Sequence, residues 1–218
     1  MEKFYQTYIE EFNAPPTSIL EIGSRDGHDA DTLRLLAKLP PESVYIAEAH
    51  PDCARFIRNT YPNVNLYNVA VFDKMGVLDF NAIDYYRFNQ GYVGTSSLLK
   101  RNIEIIPAEM VEIVQDQAKN IVKVIGITGQ MLLQLIDRRF IDMMKLDVEG
   151  ATYEVLKSFG DDLRLINFMH VECEVMYMWE NQHLFDEVEN LLQFYGFREM
   201  YREQNYPQQI DTVWRRLD

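Results

Sequence analysis

The sequence predicts an α/β fold built on a mostly parallel seven-stranded sheet, with helices on both faces and a C-terminal antiparallel hairpin. Three observations point there. Short apolar runs alternate with amphipathic stretches from residue 18 onward, the signature of parallel strands joined by crossover helices. The first run, Ser18–Ile22, ends in Glu21-x-Gly23-x-x-x-Gly27 and opens a helix, as strand–turn–helix ligand sites do. The chain closes with GFREMYREQ and TVWRRL, two strand-like segments with no helix between them, which read as a hairpin.

The elements follow in order. A short helix over Phe4–Phe12 is stopped by Asn13 and the Pro15-Pro16 pair, so residues 1–16 form a helical extension to a domain over 17–218. Strands are expected at Ser18–Ile22, Val44–Glu48, Val64–Val69, Val77–Ile83, Ile121–Gly126, Asp142–Asp147 and Leu165–Cys173. Helices are expected near 28–39, 51–60, 128–138, 151–159 and 182–195. Ala151, Val155, Leu156 and Phe159 share one helical face, as do Leu184, Val188, Leu191, Leu192 and Tyr195; both stripes are core-facing. Residues 84–120 show no clean period and are rich in Tyr, Gly and Ser at their start, which marks an irregular insertion, read as a lid.

Composition bounds the function. The chain has 218 residues, 47% of them hydrophobic, enough for one sizeable core. Its 34 acidic residues outnumber 21 basic ones, for a formal charge of −13, which argues against nucleic acid or an anionic membrane as partner. No apolar run reaches the length of a membrane span, and MEKFYQTYIEEF is no signal peptide. Cys53 and Cys173 stand far apart and suggest neither a zinc cluster nor a disulfide framework. The expected compartment is a reducing cytoplasm.

The glycine turn narrows the ligand. A dinucleotide fingerprint reads G-x-G-x-x-G and cradles a pyrophosphate. An acid followed by Gly-x-x-x-Gly suits a ligand without phosphates that carries an ammonium group, and S-adenosylmethionine answers that description. Gly23, Ser24, Arg25, Asp26 and Gly27 then form the turn, with Glu21 toward the methionine half. Glu48 ends the second strand, some 25 positions beyond Gly23, where a carboxylate can accept both ribose hydroxyls. Ala49 and His50 flank the adenine, and Asn68, Val69 and Ala70 close the third strand end against it.

Asp147 and Glu149 have the same parity at the carboxyl end of the sixth strand, and Lys145 shares it, so Lys145 can neutralise Asp147. His170, Glu172 and Glu174 recur at alternate positions on the next strand. These groups suit a general base, with Asp147, His170 and Glu172 as candidates in that order; a divalent cation on the carboxylates, or plain structural pairing, stays open.

Several segments in order resemble the FkbM-type methyltransferases: ILEIGSRDGHDADTL, VYIAEAHP, NVAVFDKMGVLDF, GYVGTSSLL, IDMMKLDVEGATYEVLKSFG and HVECE. The chain has Glu21 where that family usually has Asp, Ser24-Arg25 for its Ala-Asn, and Thr128-Gly129 for its Leu-Asp. The resemblance implies a class I, Rossmann-like methyltransferase that takes S-adenosylmethionine and methylates a hydroxyl of a small molecule, sugar or glycan. Two rivals remain at this point: a nicotinamide-dependent oxidoreductase, and a cofactor-binding protein of the same fold without turnover.

Overall fold

A computed structural model describes residues 1–105 and 110–217. Its main sheet has seven strands in the order β3-β2-β1-β7-β8-β10-β9. The strands are β1 (Ile19–Ile22), β2 (Val44–Ala47), β3 (Asn65–Tyr67), β7 (Ile141–Leu146), β8 (Ile166–Glu174), β9 (Phe197–Tyr206) and β10 (Gln209–Arg216). The first five run parallel, and β10 is antiparallel to both β8 and β9. Strand order reverses beside β1, so the carboxyl ends of β1, β2 and β7 open onto one crevice, where open α/β sheets bind ligands.

β1 and β2 are buried at every residue, as expected of strands covered on both faces. One face carries α6 (Gly129–Ile136), α7 (Thr152–Lys157) and α8 (Phe185–Phe194), which pack Leu132, Val155, Leu156, Val188 and Leu192 onto Leu20, Met144 and Val171. The other face carries α1 (Glu2–Phe12), α2 (His28–Ala37) and α3 (Pro51–Thr60). Phe4 and Tyr8 of α1 seat on Phe168, with the Phe4 and Phe168 rings stacked at 5.2 Å. Asn13, in the left-handed conformation, ends α1.

The strands expected at Val77–Ile83 and Ile121–Gly126 do form, but outside the main sheet. β4 (Ala70–Val71), β6 (Ile121–Ile127) and β5 (Gly76–Asn81) make a separate three-stranded sheet in that order. Their burial explains the difference: Val77, Ile121 and Ile125 face solvent, and only the far end of each strand is covered. The single strand expected over Val64–Val69 is β3, which stops at Tyr67; the chain then bends at Asn68–Val69 and enters the small sheet as β4.

Among the described residues, 84–105 and 110–120 hold more regular elements than an aperiodic sequence suggests. They contain α4 (Gln90–Val93), a 3-10 turn at Ile103–Ile105 and α5 (Val111–Gln117); residues 106–109 of this span lie outside the described residues. Gln117 anchors the segment, donating to the carbonyls of Asn81 (3.1 Å) and Thr95 (3.0 Å). No helix among the described residues is long and apolar enough to cross a membrane. Cys53 and Cys173 are both buried and free.

Candidate functional site

The crevice above β1, β2 and β7 divides into two cavities that share Gly23, Arg25, Gly94, Asp147 and Glu149 as a common wall. The narrower encloses about 580 Å³, part of it open to solvent, and is lined by Val69, Val71, Phe80, Val93 and Leu98 with Glu48 and His50 at one side. The wider, about 2170 Å³, opens to solvent between the β1–α2 turn, the 84–120 segment and the loop after β8.

Gly23 brings the two strand ends together. It has φ +80°, and a methyl group there would sit on the Asp147 carbonyl oxygen, so only glycine allows this approach. Gly27 is required for a different reason. At φ +78° it caps α2, and a side chain would meet the Tyr61 ring; it packs the turn and lines neither cavity.

Glu21 lies beneath the turn. It is 1% exposed, accepts from the Ser24 hydroxyl (2.6 Å) and the Ala30 N–H (3.2 Å), and lines neither cavity. Burial pushes its carboxyl up to about 7, against the pull of Lys145 and Ser24. Ser24 completes a relay by accepting from the Gly27 N–H at 3.1 Å. Arg25 and Asp26 do reach the wide cleft, ion-paired to one another at 2.9 Å.

Glu48 is 5% exposed at the end of β2 and lines the narrow cavity. One carboxylate oxygen accepts the Arg25 N–H (2.8 Å) and the other the His50 N–H (2.6 Å), so the group is aimed by backbone donors while lone pairs remain for a ligand. Its burial raises its pKa, and those donors oppose the rise. His50 caps α3 by accepting the Asp52 N–H at 3.3 Å, while its Nε2 meets the Ile83 carbonyl at 3.0 Å. Ala49, Val69 and Ala70 line the narrow cavity as the strand-end reading expects. Asn68 does not: its amide donates to the Glu48 carbonyl at 2.8 Å and braces the end of β2 from outside.

Across the shared wall, Asp147, Glu149 and Glu172 bring carboxylate oxygens within 4.8 Å of one another. Oxygen ligands of that kind suit a hard cation. Among the described residues no histidine or cysteine joins the three, and such groups of acids are common without an ion, so no metal is assigned. Burial and repulsion from neighbouring acids raise Glu149 well above the usual range and push Glu172 up to about 11. Glu174 rises to about 7 for the same first cause, moderated by Gln182 and the Gly150 backbone.

His170 is on the same strand face as Glu172 but lines neither cavity. Its ring sits edge-on to Phe4 at 5.4 Å, Nδ1 has no hydrogen-bond partner, and burial drives its pKa down to about 4. Its Nε2 lies 3.7 Å from Asp211 of β10. Lys145 does pair with Asp147, at 3.0 Å.

Two cleft residues carry no sequence signal. Arg101 comes from the irregular segment and stacks 4.4 Å over the Trp179 ring, with backbone bridging between the two. Trp179 lies over Gly150, where any side chain would collide with the indole. Nothing in their spacing marks them, because tertiary contact alone brings them to the cleft.

A profile of the methyltransferase FkbM domain matches residues 21–199. No curated protein matches the sequence. Magnesium protoporphyrin IX methyltransferase from Synechocystis PCC 6803, crystallised with bound SAM, superposes with a TM-score of 0.53 at 9% identity over 99% of this chain and 77% of its own. Methyltransferase FkbM from Methylobacillus flagellatus KT superposes with a TM-score of 0.53 at 10% identity, over 91% of this chain and 44% of its own. At such identities the likeness is one of fold.

Proposed function

From the premise that this chain belongs to the methyltransferase FkbM domain family, we propose that it is an S-adenosylmethionine-dependent methyltransferase acting on a hydroxyl of a small molecule, sugar or glycan. The observation that carries the reading is the narrow apolar cavity at the switch point, with the buried Glu48 carboxylate aimed into it by two backbone donors. Glu48, buried at the side of that cavity with lone pairs left beside its two backbone donors, fits the hydroxyl-bearing half of such a cofactor.

In this reading Glu48 accepts from the ribose hydroxyls, and Ala49, Val69 and Ala70 flank the adenine. Gly23 leaves room for the methionine half, and Ser24, Arg25 and Asp26 border it. When bound, the cofactor supplies an electrophilic sulfonium methyl. The chain's own part is to hold the acceptor in line and take its proton. Asp147, on the wall common to both cavities and paired with Lys145, is the proton acceptor. Glu149 and Glu172, held neutral, donate hydrogen bonds to an acceptor in the wide cleft. Residues 89–101 and Met110 form a lid over that cleft, and Arg101 and Trp179 line its acceptor side.

Calorimetry tests the cofactor half. Wild-type protein should bind S-adenosylmethionine in the micromolar range, and Glu48→Ala should lose about 10- to 100-fold in affinity, the equivalent of one hydrogen bond to a charged group. Absence of binding by wild type defeats the proposal. With a hydroxylated acceptor panel and labelled methyl, Asp147→Asn should slow transfer by about 10² or more.

A further inference from the structure

Lys145 sits where the cofactor turn meets the acceptor cleft. It lies on β7, in register with Glu21 of β1 on one side and His170 of β8 on the other, and is 8% exposed. Its ammonium is 3.0 Å from Asp147, 3.1 Å from Asp29 of α2 and 3.7 Å from Glu21. An ammonium has three N–H donors and no acceptor, so three carboxylates from three elements converge on one cation. Glu21 Oε1 has no hydrogen bond of its own, which leaves Lys145 as its nearest counter-charge. A buried carboxylate stripped of that partner is strongly disfavoured in its charged form.

Building on the methyltransferase reading of the site, we propose that Lys145 is a positioning residue that ties the acid under the cofactor turn to the acid on the cleft wall, setting the charge of Glu21 and the orientation of Asp147 together. Other groups act on this cluster from further off: Arg25 in the turn, Glu149 after β7, His170 and Glu172 on β8, and Asp211 on β10. The reach of the ammonium is visible at His170, whose proton affinity Lys145 lowers further after burial. Removing Lys145 therefore acts at once on Glu21 beneath the turn and on Asp147, on the wall that the two cavities share.

The test follows the side-chain carboxyl carbon of Glu21 in 13C-glutamate-labelled, ligand-free protein across pH, assigned by Glu21→Gln. Wild type should titrate near 7. Lys145→Met should lift that midpoint by about one pH unit or more, and Lys145→Arg should return most of the shift, which a purely structural role would not do. Asp29→Asn, a change on the solvent side that keeps the fold, should move the midpoint down, because a competing carboxylate is gone. A midpoint that stays at the wild-type value in Lys145→Met overturns the proposal. In the same samples Lys145→Met should bind S-adenosylmethionine about tenfold more weakly, and full affinity in that variant also overturns it. A wild type with no affinity sinks the methyltransferase reading instead, and the Glu21 midpoints then decide the role of Lys145 alone.

Discussion

At the scale of single residues, the site depends on a few positions that tolerate one residue type for one reason each. Gly23 is the sharpest case: positive φ and contact with the Asp147 backbone forbid any Cβ. Gly23→Ala should destabilise the fold by about 3 kcal/mol or more and abolish cofactor binding, read by thermal melts and calorimetry. Glu174 is a different kind of dependence. It is 4% exposed, with its carboxyl raised to about 7, so the folded protein binds a proton that the unfolded chain has already released above its ordinary value near 4.5. The stability it contributes is full below that ordinary value and is lost as pH rises toward 7. Glu174→Gln, which keeps the neutral hydrogen-bonding shape, should therefore melt higher than wild type at pH 8 and close to it at pH 5.

At the scale of elements, the outcome turns on which faces are covered. The first helix is charged on one side, yet Phe4 and Tyr8 are buried against Phe168 of the central strand β8, Phe4 stacked on its ring and Tyr8 edge-on to it. It is thereby part of one sheet face's core, and its Phe4 lies edge-on to the His170 ring. Phe4→Ala should cost about 3–4 kcal/mol in denaturant unfolding, as for other buried aromatic truncations, where a loosely attached extension would show almost no change. The small β4-β6-β5 sheet has the opposite character: Val77 and Ile125 face each other on its outer side and remain exposed. Substituting that pair with threonine should leave the melting temperature nearly unchanged.

For the molecule as a whole, charge and burial act in the same direction above neutrality. Glu21, Glu149, Glu172 and Glu174 are all raised by burial, so each favours the folded state less as pH climbs. His170 works the other way, but its window closes by its ordinary value near 6.5. The melting temperature should fall steadily from pH 6.5 to 9, and self-repulsion of a chain at −13 adds to the slope. A flat profile would contradict the burial of these acids. Much of this architecture was legible in the residues themselves. Strand and helix alternation, the Glu21–Gly27 turn, Glu48 at a strand end and the parities Asp147/Glu149 and His170/Glu172/Glu174 are local patterns, and local patterns survive folding because backbone period sets which side chains share a face. What parity could not supply is distance and cover. Whether His170 faced the crevice or the first helix, whether two apolar strands joined the main sheet or their own, and which residues of an aperiodic segment met Trp179 were decided by packing between parts remote in sequence. Those contacts leave no period to read, since they arise only when separate elements compete for the same buried surface.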